Sequence, residues 1–150
     1  MNNLFQQDEV ARVLERLDKL NIETKPLWGK MNVAQMLAHC NVTYELVFEN
    51  FHKKPNFMVR FLLKLFVKNL VVNEVPFKKN TFTAPYFRVI EMKDFQIEKN
   101  RLIEYLNRTV ELGEEYFEKK ESFSFGPLTS VEWNNMFYKH LDHHLSQFGV

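Results

Sequence analysis

The stretch Leu128-Thr129-Ser130-Val131-Glu132-Trp133, continued by Lys139-His140-Leu141-Asp142-His143-His144-Leu145-Ser146-Gln147-Phe148-Gly149, decides the fold. Thr129 and Glu132 make an S/T-x-x-E capping box, and Leu128 stands where it can staple against Trp133. Pro127 comes just before, and Gly149 is well placed as the C′ residue that ends the helix. Three other segments share this helical periodicity. In the first, Val10, Val13, Leu14 and Leu17 recur on one face, with Asp8, Glu9, Arg12, Glu15, Arg16 and Lys19 pointing elsewhere. The second opens at Asn32, an N-cap with Gln35 three residues on and Met31 and Met36 in the staple positions, and it runs toward Glu49. The third spans about Asp94 to Glu118, with Leu102, Leu106, Val110 and Phe117 along one side and Gly113 weakening it locally.

Between the second and third helices lie residues 51–93. Phe57 to Asn69 is readable as a short helix with Arg60, Lys64 and Lys68 on one stripe. Pro76 to Pro85 carries two prolines and reads as an extended or irregular loop. A connection this long covers a site or makes an interface. Four main helices with one long crossover predict a single all-α domain over residues 1–150, a four-helix bundle with a long connection between helices 2 and 3.

Composition narrows the function. The 150 residues carry 20 basic and 19 acidic side chains, a formal net charge of +1, which excludes the basic footprint of a general nucleic-acid binder. One cysteine excludes an internal disulfide framework and suits a reducing compartment. Residues 1–20 lack the pattern of a signal peptide, and Phe57 to Val72 is too short and too charged for a membrane span. A soluble cytoplasmic protein is the expectation.

The histidines carry the chemistry. His140 and His144 are four apart, one helical turn, with Cβ atoms roughly 5–6 Å apart, so two imidazoles can converge on one metal ion. They share a face with Trp133, Phe137 and Phe148 and so point inward, where unpaired imidazoles are costly. His39 lies mid-way along the second helix and can supply a third nitrogen if the two helices are neighbours. Three His ligands leave room for water or substrate, as in a reactive site. The plain alternative is a pair of unmetallated helix histidines. His143 is a candidate general base, an outer partner or a rim residue; Asp142 faces solvent or another helix; His52 reads as a surface residue. Several rival motifs are missing: H-E-x-x-H, Glu-x-x-His pairs and a phosphate-binding Gly-rich loop. Cys40 reads as a small core residue.

Trp28-Gly29-Lys30-Met31-Asn32 through Gln35-Met36-Leu37-Ala38-His39, together with the C-terminal run from Lys139, resembles the second-helix and last-helix signatures of the DinB/YfiT-like superfamily of metal-binding four-helix bundles. Phe125-Gly126-Pro127-Leu128-Thr129 and the Pro76–Pro85 loop resemble a branch of it catalogued as a domain of unknown function. The resemblance spans nearly the whole chain. It implies a divalent ion held by His39, His140 and His144, with His143 matching a frequent extra histidine; neutral imidazole ligands suit Zn, Ni or Fe(II). It also implies metal-dependent hydrolase chemistry or transfer chemistry with a low-molecular-weight thiol.

Two functions follow as expectations. One is a metal-dependent enzyme acting on a small-molecule substrate, with Asn80, Thr81 and Thr83 available to bond it. The other is a non-catalytic small-ligand-binding or interaction module with a structural metal. For the latter, Phe57 to Val72 mixes Phe61, Leu62, Leu65 and Phe66 with basic residues as a membrane-surface or partner helix does. The plainer reading of that segment is a short helix packed on the bundle. A homodimer is expected by analogy alone.

Overall fold

In the computed structural model, which describes residues 1–81 and 83–150, the chain is predominantly helical. Six α-helices are present among the described residues: α1 (Gln7–Asp18), α2 (Val33–Phe48), α3 (Phe57–Phe66), α4 (Lys68–Val72), α5 (Phe95–Phe117) and α6 (Ser130–Gln147). A 3₁₀ turn spans Pro85–Phe87. Two strands of two residues each, β1 (Glu121–Ser122) and β2 (Gly126–Pro127), pair antiparallel just ahead of α6.

Local chemistry places the helix starts. Asn32 accepts from the Gln35 amide at 2.9 Å while the Gln35 side chain accepts from the Asn32 amide, and Thr129 and Glu132 repeat that box at α6. Asp94 caps α5 through the Ile97 amide at 2.8 Å. Each such cap is worth about 1 kcal/mol. Gly113 does more than weaken α5: its backbone is non-helical, with φ +69 and ψ 173, and breaks the helix there. That left-handed region is one a residue with a Cβ resists.

α1, α2, α5 and α6 share one core. Val10 and Leu17, Met36 and Leu37, Leu102 and Leu106, and Leu141 and Leu145 all bury their side chains in it. Trp133 and Phe137 meet Phe117, and Phe137 stacks on Tyr44, at ring separations of 4.9–5.8 Å. Cys40 is buried there as well, its thiol 3.8 Å from the Met36 sulfur, and burial pushes the thiol pKa up.

The structure bears out a predominantly helical chain and differs from expectation at three places. First, one short hairpin is present. The β1–β2 pair forms because Ser122 Oγ bonds the Gly126 carbonyl at 2.7 Å and accepts from the Phe125 amide at 2.9 Å, turning Phe123 and Phe125 inward. Second, the helical stretch after Phe57 is two helices, interrupted at Val67. Third, α3 lays little of itself on the core. Leu63 and Val67 lean inward, while Phe57 and Phe66 are 81% and 76% exposed. The Pro76–Pro85 stretch is irregular as expected; its Phe82 lies outside the described residues.

Candidate metal centre

α2 carries His39 in its middle, and α6 carries His140 and His144 on consecutive turns. Because α2 and α6 pack together, all three rings meet. Ring centroids are 4.8 Å apart for His39–His140, 4.4 Å for His39–His144 and 4.8 Å for His140–His144. One ring nitrogen from each residue falls within 4.8 Å of the others, a group that could hold a metal ion. His39 and His144 are buried and His140 partly so.

Each Nδ1 is tied to a different part of the fold. His39 Nδ1 lies 2.7 Å from the Phe87 carbonyl in the 3₁₀ turn; a carbonyl only accepts, so Nδ1 carries the proton and Nε2 the lone pair. Gln147 Nε2 donates to the Trp28 carbonyl at 2.7 Å, which turns Gln147 Oε1 toward His144 Nδ1 at 2.8 Å. His144 is therefore also protonated at Nδ1, with the lone pair on Nε2. His140 Nδ1 sits 3.0 Å from Thr43 Oγ1, and its Nε2 is 2.9 Å from His39 Nε2. Two ring nitrogens this close need a shared proton or a shared cation between them. A hydroxyl both donates and accepts, so Thr43 serves His140 in either tautomer.

Electrostatics hold all three rings neutral. Burial pulls His144 down to about 3, helped by His39 and opposed by the Gln147 bond. Burial lowers His140 well below its ordinary value, and the neighbouring imidazoles add to the effect. Burial lowers His39 too, against the raising influence of the Phe87 carbonyl. Neutral imidazoles with aimed lone pairs are the form that binds metal.

The remaining predicted residues fall around this cluster. His143 is half-buried at its rim, 5.0 Å from the His144 ring and edge-on to Trp28 and Phe77 at 5.8 and 5.9 Å. Desolvation lowers its pKa, with Asp142 raising it and Lys79 lowering it further. Lys79 Nζ lies 4.2 Å over the Trp28 ring, adding a cation beside His143. Asn80 and Thr81, exposed, and Thr83, partly buried, belong to the same loop. Asp142 binds Arg16 of α1 at 2.8 Å, the helix-bound alternative. His52 is not a plain surface residue: it is partly buried, with Nε2 2.9 Å from Glu45 Oε2. Glu45 also takes Arg101, which pairs with Glu98, so His52 hydrogen-bonds into an ion-pair network beside a cavity of about 220 Å³. Trp133, Phe137 and Phe148, which share a helix face with His140 and His144, pack into the core. The aromatic rings against the histidines are Phe87, Trp28 and Phe77.

Phe87, Gln147 and Gly29 were missed from sequence. Gly29 has φ +83, and a Cβ there would lie 2.5 Å from Gln147 Nε2. Trp28-Gly29 thus supplies a carbonyl for Gln147 and the space for it to approach. Gln147, three residues beyond His144 on the same helix, was the one readable signal.

Fold and site together define a mostly helical chain with a buried three-histidine cluster. It belongs to the family described as "Protein of unknown function (DUF1569)", whose model matches residues 3–149. No curated protein and no solved structure matches it.

Proposed function

We propose that this chain is a metal-dependent enzyme acting on a small molecule, built as a DinB-type four-helix bundle from α1, α2, α5 and α6. His39, His140 and His144 are the ligands of a divalent ion. The observation that carries this reading is the set of Nδ1 bonds: three separate partners, Phe87, Thr43 and Gln147, hold the rings in a cluster where one nitrogen of each residue lies within 4.8 Å of the others. The Nδ1 sides are satisfied by the fold, and the Nε2 atoms of His39 and His140 meet at 2.9 Å beside the His144 ring, where a shared cation would also sit.

The donor set fits the group. Nitrogens about 2.0–2.1 Å from a tetrahedral ion stand about 3.3 Å apart, within small ring movements of a cluster whose spacings reach 4.8 Å. Zn, Ni and Fe(II) all accept imidazole. Such an ion supplies Lewis acidity, either polarising a substrate oxygen for hydrolysis or stabilising a thiolate for transfer. Three protein ligands favour this over a structural metal, whose sites usually close with four.

The chain's own residues do the rest. His143, neutral at pH 7 and on the rim, accepts a proton from the attacking group and passes it to the leaving group. Trp28 and Phe77, beside His143, offer an apolar edge to the substrate, and Lys79 over Trp28 offers a cation. Metal content of untagged protein tests the assignment: about one ion per chain is expected for wild type, and close to none for His140→Ala/His144→Ala. Equal metal in both proteins would overturn it.

A further inference from the structure

α3 is amphipathic in an unusual sense, because its apolar side faces outward. At 100° per residue, Phe57, Met58, Phe61, Leu62, Leu65 and Phe66 cover about 180° of its circumference. All six are exposed, between 46% and 81%. Leu70 of α4 continues the patch at 60%. Scattered exposed apolar residues are ordinary, but a contiguous patch of this kind marks an interaction surface.

Charge selects the partner. Residues 51–79 hold seven basic side chains (Lys53, Lys54, Arg60, Lys64, Lys68, Lys78, Lys79) against Glu74 alone, a net of +6. The whole chain carries only +1, so the rest carries −5. Arg60 and Lys68 anchor the helices inward, on Glu121 and on Glu132. Lys53, Lys54, Lys64 and Lys78 are exposed, Lys64 on α3 itself and the others on the segments that flank α3 and α4 in sequence. A second copy joined through the same face by a twofold axis would set two segments with an exposed basic excess (Lys53, Lys54, Lys64 and Lys78 against Glu74) beside each other, which repel. An anionic lipid surface satisfies both features: acyl chains take the aromatic and aliphatic side chains, and headgroups take the lysines.

We propose that the outward face of α3 and its basic flanks dock on a membrane surface rich in anionic lipid. The chain lies on the bilayer rather than crossing it. Consistent with that, no helix among the described residues is long and apolar enough to span one.

The test is co-sedimentation of the full chain with vesicles of phosphatidylcholine alone or mixed with phosphatidylglycerol. Wild type is expected to bind the mixed vesicles at low salt, to ignore the neutral ones, and to release at high salt. Phe61→Ser/Leu65→Ser and Lys53→Glu/Lys54→Glu/Lys64→Glu change exposed positions, with folding checked by circular dichroism. Each is expected to weaken binding by more than about tenfold. The proposal fails if wild type does not bind the anionic vesicles, or if both variants bind as well as wild type. It also fails if sedimentation equilibrium shows a dimer that Phe61→Ser/Leu65→Ser dissociates, since a second copy then covers the face.

Discussion

Replacing Gln147 by Leu removes one relay and leaves the size of the side chain nearly unchanged. Gln147 joins the Trp28 carbonyl, at 2.7 Å, to His144 Nδ1, at 2.8 Å, and is itself only 4% exposed. Losing the bond that orients a ligating imidazole costs roughly 10–100-fold in metal affinity, or about 1.4–2.8 kcal/mol. The same change strips the Trp28 carbonyl and His144 Nδ1 of their partner, at about 1–3 kcal/mol for each group that water cannot reach. Competition for Zn(II) against a chromophoric chelator measures the first effect, and urea unfolding of the metal-free protein the second. Gln147→Glu keeps an oxygen for His144 Nδ1 and should hold metal affinity near wild type, while still losing the donor to Trp28. A folded Gln147→Leu protein whose affinity falls by less than about twofold would refute the claim that Gln147 positions His144 for a metal.

Three further outcomes follow. Gly29→Ala puts a Cβ 2.5 Å from Gln147 Nε2 at a φ of +83, so it should lose about 1–2 kcal/mol to backbone strain alone and weaken metal binding by the same route as Gln147→Leu; unchanged chelator competition would contradict it. The folded pKa of His144 is about 3, and His39 and His140 are lowered as well, whereas an unfolded histidine titrates near 6.5. Below pH 6.5 the unfolded chain therefore binds more protons, and metal-free stability should fall by up to about 1.4 kcal/mol per pH unit for each histidine; a flat Tm between pH 7 and 5 would be the contrary result. Lys139, buried at 3% exposure, donates to the Leu70 carbonyl and to both oxygens of Asn73 at 2.8 Å, closing the end of α4. Lys139→Met should cost about 2 kcal/mol in urea unfolding, and a loss below about 0.5 kcal/mol would show that those carbonyls find other partners.

What was legible in the sequence was short-range. The caps at Asn32 and Thr129 and the turn-apart pair His140 and His144 depend on residues three or four positions away, and the structure has them as expected. The approach of His39 needed one long-range assumption, that its helix neighbours the last one, and α2 and α6 do pack together. The missing parts are all contacts to backbone or across large separations. The Phe87 carbonyl lies 48 residues from His39, the Trp28 carbonyl 119 from Gln147 and the Leu70 carbonyl 69 from Lys139. A carbonyl is the same group on every residue, so nothing in its side chain announces the role. For α3, the plainer of the two readings failed for a related reason. An apolar stripe states that a face wants cover, and only the packing shows that neighbouring helices leave it open. His52 was misread because its partner Glu45, seven residues back, sits across a helix end and not on a shared face.

X-ray absorption of the Zn(II)-loaded chain tests the central claim most directly. The account predicts three imidazole nitrogens about 2.0–2.1 Å from the ion, with imidazole outer-shell scattering that falls stepwise in His39→Ala, His140→Ala and His144→Ala. A first shell without imidazole scattering, or one that these substitutions leave unchanged, would contradict it.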